Sequence, residues 1–267
     1  MAQSSLSSET SEQCDDTIQF VKRFADEFQW QDLSEDVVMD IGCGDKLNCC
    51  IALLSQFPNV RAIIAVDKES TVFQMAQVRH RRIQYCVGDI LERDSLKSYE
   101  GKMNKVISTN TFHHIMDKEM AFRNVYRLLK PGGEAGFFFC VNSYLHTFLT
   151  DLSEIPKYGA ILKDTYATTL YPSQQGEQYY KELLEKIGFK NVRVFEEERR
   201  RSYPSDKCFK VFFLEDLKIN LKLSPEAAET FMAEVLELYE KKFGRKEGKL
   251  GHVCVQLNLW GVKPMEI

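Results

Sequence analysis

An α/β fold with a doubly wound, mostly parallel seven-stranded sheet is predicted by three features. Strand-like and helix-like segments alternate from residue 37 to residue 262. The run Val37-Val38-Met39 ends at Asp40 and enters a turn bracketed by Gly42 and Gly44, and Ile51, Ala52, Leu53 and Leu54 then follow in a helix-compatible pattern. Helix stops are followed by apolar runs: Lys130-Pro131-Gly132-Gly133 precedes Ala135–Val141, and Gly188 precedes Val192–Phe195.

The elements follow in order. Residues 1–10 are polar and are expected to be disordered or only conditionally ordered. Residues 13–30 place Ile18, Phe20, Val21, Phe24, Phe28 and Trp30 at roughly helical spacing. Strands are expected at 37–41, 61–66, 83–87, 104–109, 134–141, 191–198 and 252–262. Helices are expected near 47–56, 70–79, 117–129, 176–187 and 224–243. In the last strand Val253, Val255, Leu257 and Leu259 alternate, as in a late antiparallel strand. The stretches 142–175 and 199–250 exceed ordinary connections and are expected to form a helical cap on a single domain spanning 1–267.

Composition excludes several classes. The hydrophobic share is 44%, the charged share 28% and the net charge −4, as in a soluble globular protein with no general attraction for nucleic acid. No apolar run approaches the ~20 residues that span a bilayer, and the start MAQSSLSSETSEQCDD has no apolar signal core. A cytoplasmic location and no membrane insertion are expected. Eight cysteines occur without a C-x-x-C pair, which favours reduced thiols and gives no support for zinc. No metal is expected, and the sequence does not fix an oligomeric state. The basic run Arg199-Arg200-Arg201 follows three glutamates and reads as a solvated strand end.

A strand, a glycine turn and a helix start make a site of nucleotide size. Glycine lets the backbone approach a ligand, and the helix start offers free N–H groups. In a doubly wound sheet such ligands lie beyond the carboxyl ends of the strands. Asp67 closes the second strand 23 residues after Gly44, near the interval at which an acid accepts the ribose hydroxyls. A helix cap for the segment from Ser70 is the other reading, and the two roles are compatible. Asp89 could accept an adenine amino group, with Ile90 on the ring face, or could simply be a turn aspartate. Lys68 and Thr109, at the ends of the second and fourth strands, are further cofactor-contact candidates. Lys46 reads as a solvated helix-start residue. In the segment Ser108–Ile115, His113 or His114 could orient an acceptor or hydrogen-bond the backbone, and only one is expected to face the site.

Gly42 and Gly44 are followed by Asp45, Lys46 and Leu47, so the third glycine of the dinucleotide fingerprint is missing. Asp40-Ile41-Gly42-Cys43-Gly44 instead resembles motif I of class I S-adenosylmethionine-dependent methyltransferases. With Asp67, Asp89 and the 109–114 segment in order, the first 141 residues resemble that class. The resemblance implies a Rossmann-like methyltransferase fold and S-adenosyl-L-methionine as cofactor, with Asp40 holding the cofactor ammonium directly or through water. The segment Phe112–Val125 and the run Asp40–Asp45 further resemble arthropod juvenile hormone acid O-methyltransferases. Specific motifs are confined to those two stretches, while looser agreement covers nearly the whole chain.

That narrower resemblance implies methyl transfer to the carboxylate of a small apolar acid of farnesoic, juvenile hormone or fatty acid type. It implies that Gln13 and His113 place the acid. His114 stands where the family carries tryptophan, and no tyrosine precedes Gln13. Both departures leave open an acceptor other than juvenile hormone acid. Phe112, His114, Tyr144 and Phe148 are candidate acceptor contacts. The alternatives are a methyltransferase acting on an amine or phenol, one acting on protein or RNA, and a non-catalytic ligand-binding descendant of the fold.

Overall fold

The structure is a computed structural model that describes residues 3–162, 175–216 and 223–265, with side chains for 15–162, 175–213 and 223–265. A seven-stranded sheet runs in the order β3-β2-β1-β4-β5-β7-β6. Its strands are β1 (Val37–Ile41), β2 (Ala62–Asp67), β3 (Ile83–Val87), β4 (Met103–Thr109), β5 (Leu129–Ser143), β6 (Lys190–Ser202) and β7 (Gly251–Val262). The helices are α1 (Gln3–Glu27), α2 (Asn48–Gln56), α3 (Ser70–Met75), α4 (Arg93–Leu96), α5 (Lys118–Leu128), α6 (Tyr144–Glu154), α7 (Pro156–Leu162), α8 (Glu177–Ile187), α9 (Asp206–Asp216) and α10 (Pro225–Phe243).

Strands β3, β2, β1, β4 and β5 pair in parallel. The chain returns through a helix between successive strands, as parallel pairing requires. Strand β7 runs against β5: Gly132 N–H and Gly133 C=O, near the start of β5, both bond Lys263, just past the end of β7. The order reverses at β1 and β4, so the carboxyl ends of β1, β2 and β4 frame the crevice where such sheets bind ligands.

Three elements differ from the sequence reading, and β7 adds a burial pattern of its own. Helix α1 reaches back to Gln3, so 3–10 are helical rather than unordered. Helix α3 stops at Met75 instead of running to 79, because Arg79 turns back and donates to the carbonyls of Phe73, Ala76 and Val78. Strand β5 begins at Leu129, five residues earlier than expected. Its ladder with β4 steps from the pair Met103–Leu129 to the pair Lys105–Glu134, and this bulge accommodates Pro131 and the left-handed Gly132. On β7, His252, Gln256 and Asn258 alternate with the apolar positions yet are buried too.

The chain divides into two compact units. The first comprises 1–139, 175–196 and 257–267, and the second comprises 140–174 and 197–256. In the first, α1 lays Phe20 and Phe24 against the sheet. Phe20 stacks on Phe138 at 5.4 Å and lies 6.2 Å from Trp260. Phe24 covers Gly136 so closely that a Cβ there would sit 2.6 Å from its ring. Lys105 is buried between Asp36, Glu134 and the face of Trp30, whose indole N–H donates to Glu134 at 2.6 Å. The charge is therefore paired on every near side, as burial demands. In the second unit α6, α7, α9 and α10 contribute a separate core that includes Phe148, Phe209, Phe213, Val235 and Tyr239. No described helix is long and apolar enough to cross a membrane.

The Gly136–Phe24 contact leaves no room for a branched side chain. Gly136→Val is expected to destabilise the fold by about 1–3 kcal/mol through overpacking, measurable as a lower midpoint in urea unfolding.

Candidate active site

The β1–α2 loop is built from left-handed backbone. Gly42, Gly44 and Leu47 have φ of 72°, 62° and 52°. Glycine takes such angles without cost, whereas a buried leucine does so only where its surroundings enforce it. Three amides hold the loop to the end of β2: Gly42 and Cys43 donate to Val66 C=O at 2.8 and 3.0 Å, and Gly44 donates to Asp67 Oδ2 at 3.1 Å. The two glycines serve different ends. A Cβ at Gly42 would strike the Thr111 side chain at 2.3 Å, while nothing lies within 4 Å of the same position at Gly44. The bare face of Gly42 is thus covered by protein, and only Gly44 leaves open space.

Asp40 is buried, and its Oδ2 accepts the Cys50 thiol at 3.2 Å. Its Oδ1 is buried and has no hydrogen-bond partner. Burial pushes the carboxyl up to about 7, with the Cys50 and Cys49 thiols opposing that shift and the charge of Asp67 adding to it. An unpartnered buried carboxylate oxygen costs free energy until a donor reaches it. The ammonium of an amino acid is a donor of the required charge.

Asp67 is half-buried. Its Oδ2 takes Gly44 N–H and its Oδ1 takes Glu69 N–H, both at 3.1 Å. The N-cap residue of α3 is Glu69, so Asp67 forms a turn ahead of that helix and does not cap it. A carboxylate has about four acceptor positions, so two remain for ribose hydroxyls. Asp89 Oδ1 accepts Leu91 N–H at 2.8 Å, while its own N–H donates to Ser95. Ile90 is buried, and its carbonyl accepts the Asn124 amide at 2.7 Å. Lys68 is exposed and Thr109 is buried at the end of β4.

Beyond β4 the chain turns at Asn110, which is left-handed and donates to Phe138 C=O at 2.7 Å. Residues Phe112–His114 form one 3-10 turn. Phe112 is fully buried, stacked on Phe122 at 4.8 Å and edge-on to Phe137, so its expected role as an acceptor contact is corrected: it is core. The two histidines were expected to point apart. In the tight turn their rings instead lie 4.0 Å apart, edge to face. His113 Nδ1 is buried without a partner, and burial, with the charges of His114 and Lys118, holds His113 far below the ordinary imidazole range. It is therefore neutral near pH 7. The Gln13 side chain lies outside the described residues. Tyr144 and Phe148 belong to the second unit: Tyr144 is exposed and stacks on Phe243 at 5.0 Å, while Phe148 is buried against Tyr239.

Three contributors were not found in the sequence. Cys50 is the thiol donor to Asp40, and Thr111 bonds Gly42 C=O at 3.0 Å. Lys118, at the start of α5, is buried, donates to Ile115 C=O at 2.7 Å and is lowered by burial to about 8. A lysine opening a helix opposes the helix dipole, and that was the available signal. Among the described residues no cluster of three or more His, Cys, Asp or Glu could hold a metal ion.

The sheet order, the glycine loop and the carboxylates near the ends of β1, β2 and β3 stand together at one edge of the sheet. The chain belongs to the Methyltransferase domain family, whose pattern covers residues 32–188. It is similar to the juvenile hormone acid O-methyltransferase of Bombyx mori, at 25% identity over 220 residues, which are 81% of this chain and 74% of that one. The enzyme of the same description from Drosophila melanogaster is 25% identical over 173 residues, 62% of this chain and 58% of its own length, so less than two thirds of that relative is spanned. The fold is shared with phosphoethanolamine N-methyltransferase 2 of Haemonchus contortus, solved with phosphomonomethylethanolamine and S-adenosylhomocysteine. That match has a TM-score of 0.58 at 18% identity and covers 94% of this chain and 53% of that one.

Asp40 holds its proton more tightly when folded than when unfolded. Its contribution to stability is therefore fully present below pH ~4 and is lost as pH rises to about 7. From pH 5 to pH 8 the ligand-free parent is expected to lose about 2–3 kcal/mol of stability that Asp40→Asn does not lose, part of the effect having already occurred by pH 5. Urea titrations at the two pH values measure it, and parallel pH dependence in both proteins would contradict the assignment.

Proposed function

We propose that the protein is an S-adenosylmethionine-dependent methyltransferase that esterifies the carboxylate of a small apolar acid of farnesoic, juvenile hormone or fatty acid type. The observation that carries the cofactor reading is the buried, unpartnered Oδ1 of Asp40 beside a glycine loop tied to Asp67. When bound, S-adenosylmethionine supplies a methyl group on a positively charged sulfur, open to displacement in line.

The chain's residues bind and orient. Asp40 holds the amino-acid ammonium, and the open face at Gly44 admits the tail of the molecule. Asp67 accepts the ribose hydroxyls with its two remaining lone pairs. Asp89 accepts the adenine amino group, and Asn124 keeps the following Ile90 in place through its carbonyl. Lys68 and Thr109 flank the same strand ends.

A carboxylic acid of pKa about 4 to 5 is ionised at pH 7, so the reaction needs no general base. The protein's task is alignment and exclusion of water, which can supply up to roughly 7–11 kcal/mol in favourable systems. His113, neutral through burial, offers one N–H to a carboxylate oxygen, with Gln13 as the companion donor and His114 as an acceptor contact. A neutral donor suits this chemistry. The acceptor loses negative charge as it reacts, and a cation at that point would hold the ground state more firmly than the transition state. The acid reading takes its support from the Bombyx mori relative and from the Phe112–Val125 segment. The finer choice among acids, like the cytoplasmic location, belongs to this proposal.

Transfer of tritium from methyl-labelled S-adenosylmethionine to farnesoic or a long-chain fatty acid is expected, in a base-labile product. Base-stable product formed only from amines or phenols would overturn the acid reading. His113→Ala is expected to lower kcat/KM for the acid by about 10- to 100-fold, the value of a hydrogen bond to a charged group, with S-adenosylhomocysteine affinity unchanged. Because the ammonium pairs with ionised Asp40, that affinity is expected to fall about tenfold from pH 7.5 to pH 6. In calorimetry Asp40→Asn should bind weakly at both pH values.

A further inference from the structure

Helix α1 and strand β7 bring two more unpartnered polar groups together. Along α1, Phe24 lies over Gly136 and Phe20 over Phe138, so moving toward the start of α1 follows β5 toward its carboxyl end. Phe20 and Phe24 also meet Trp260, with ring centres 6.2 and 6.1 Å apart. Strand β7 runs against β5, so moving back from Trp260 to Asn258 follows the same direction. Thr17 is one helical turn before Phe20 and Val21, a rise of roughly 4.5–6 Å. Asn258 is two strand residues before Trp260, roughly 7 Å away on the same face. The two residues therefore advance side by side toward the carboxyl end of β5. There Asn110 bonds Phe138 and opens the segment that carries His113.

Thr17 is 0% exposed and Asn258 is 1% exposed. Thr17 Oγ1, Asn258 Nδ2 and Trp260 Nε1 are all buried and have no hydrogen-bond partner. Each such group forfeits the hydrogen bond it would make in water. An apolar replacement would pack there without that loss, so three together on one helix–strand contact call for a ligand. All three can donate, which suits an acceptor-rich anion, although Gln256 Oε1, two residues before Asn258 on β7, is also buried and unpartnered and can only accept.

We propose that Thr17 Oγ and Asn258 Nδ2 bind the carboxylate of the methyl acceptor and thereby set its head-group specificity. The inference rests on the acid reading above and adds the residues that discriminate an acid from an amine. A protonated amine would find no negative charge on these two side chains and would face a donor at Asn258 Nδ2.

Steady-state kinetics and calorimetry on full-length Thr17→Val and Asn258→Leu, with Thr17→Ser as the conservative control, test this. Each apolar variant is expected to raise KM for the acid about tenfold or more, with S-adenosylhomocysteine affinity unchanged and a ligand-free melting temperature equal to or above the parent. Thr17→Ser is expected to restore the parental KM. If the parent methylates the acid and both apolar variants keep its KM within twofold, the inference falls and the acid reading stands. A lowered melting temperature with an unchanged KM would likewise overturn it, by assigning the pair to folding. If the parent methylates and binds no carboxylic acid, the acid reading fails and takes this inference with it.

Discussion

Two backbone amides, those of Gly42 and Cys43, converge on the single carbonyl of Val66, and the next free amide, that of Gly44, goes to Asp67. This ties the turn after β1 to the end of β2. It determines where Asp40, the last open position at Gly44 and the Asp67 carboxylate stand relative to one another. Thr111 closes the same loop from the side of β4. Leu47, buried in a left-handed conformation, then directs the chain into α2. The strain at Leu47 is sustained because the loop is fixed on both sides. Cys50 is carried back by α2 onto Asp40, so the turn and its helix together shape the environment of one carboxylate.

The site is organised by what has been kept out of water. Asp40 is costly to ionise where it stands, and His113 is costly to protonate. Both effects come first from burial, and both leave polar atoms waiting for a partner. A carboxylate that waits for a cation and an imidazole that stays uncharged divide the crevice by electrostatics. In the proposed function the first takes the ammonium of the cofactor's amino-acid end and the second the carboxylate of the acceptor. The short turn Phe112–His114 makes the second part possible, because Phe112 anchors it in the aromatic core while the histidines remain half-buried.

The parallel half of the sheet was legible because buried strands announce themselves as apolar runs, and glycine and aspartate mark their ends. Gly44 and Asp67 came with it, since the spacing between them is fixed by one strand–helix–strand passage. Residues that act through folded contacts were not legible. Nothing in the sequence shows that Thr111 would fill the bare side of Gly42, or that Asn124 would hold the Ile90 carbonyl. Phe112 was misread because an aromatic beside two histidines looks the same whether it faces a pocket or a core. Its three aromatic neighbours lie 10 to 27 positions away. The alternation on β7 was legible, but the burial of His252, Gln256 and Asn258 between its apolar positions is shown only by the fold.

Three of the four boundaries between the two units fall inside strands. The chain passes from one to the other after Phe139 in β5, after Glu196 in β6 and after Gln256 in β7, and a fourth time between 174 and 175. A module joined by loops can be lost, swapped or grafted by cutting two connections. Here each of those three cuts would sever a hydrogen-bonded ladder and leave raw backbone edges open to aggregation. The second unit is consequently not a removable accessory.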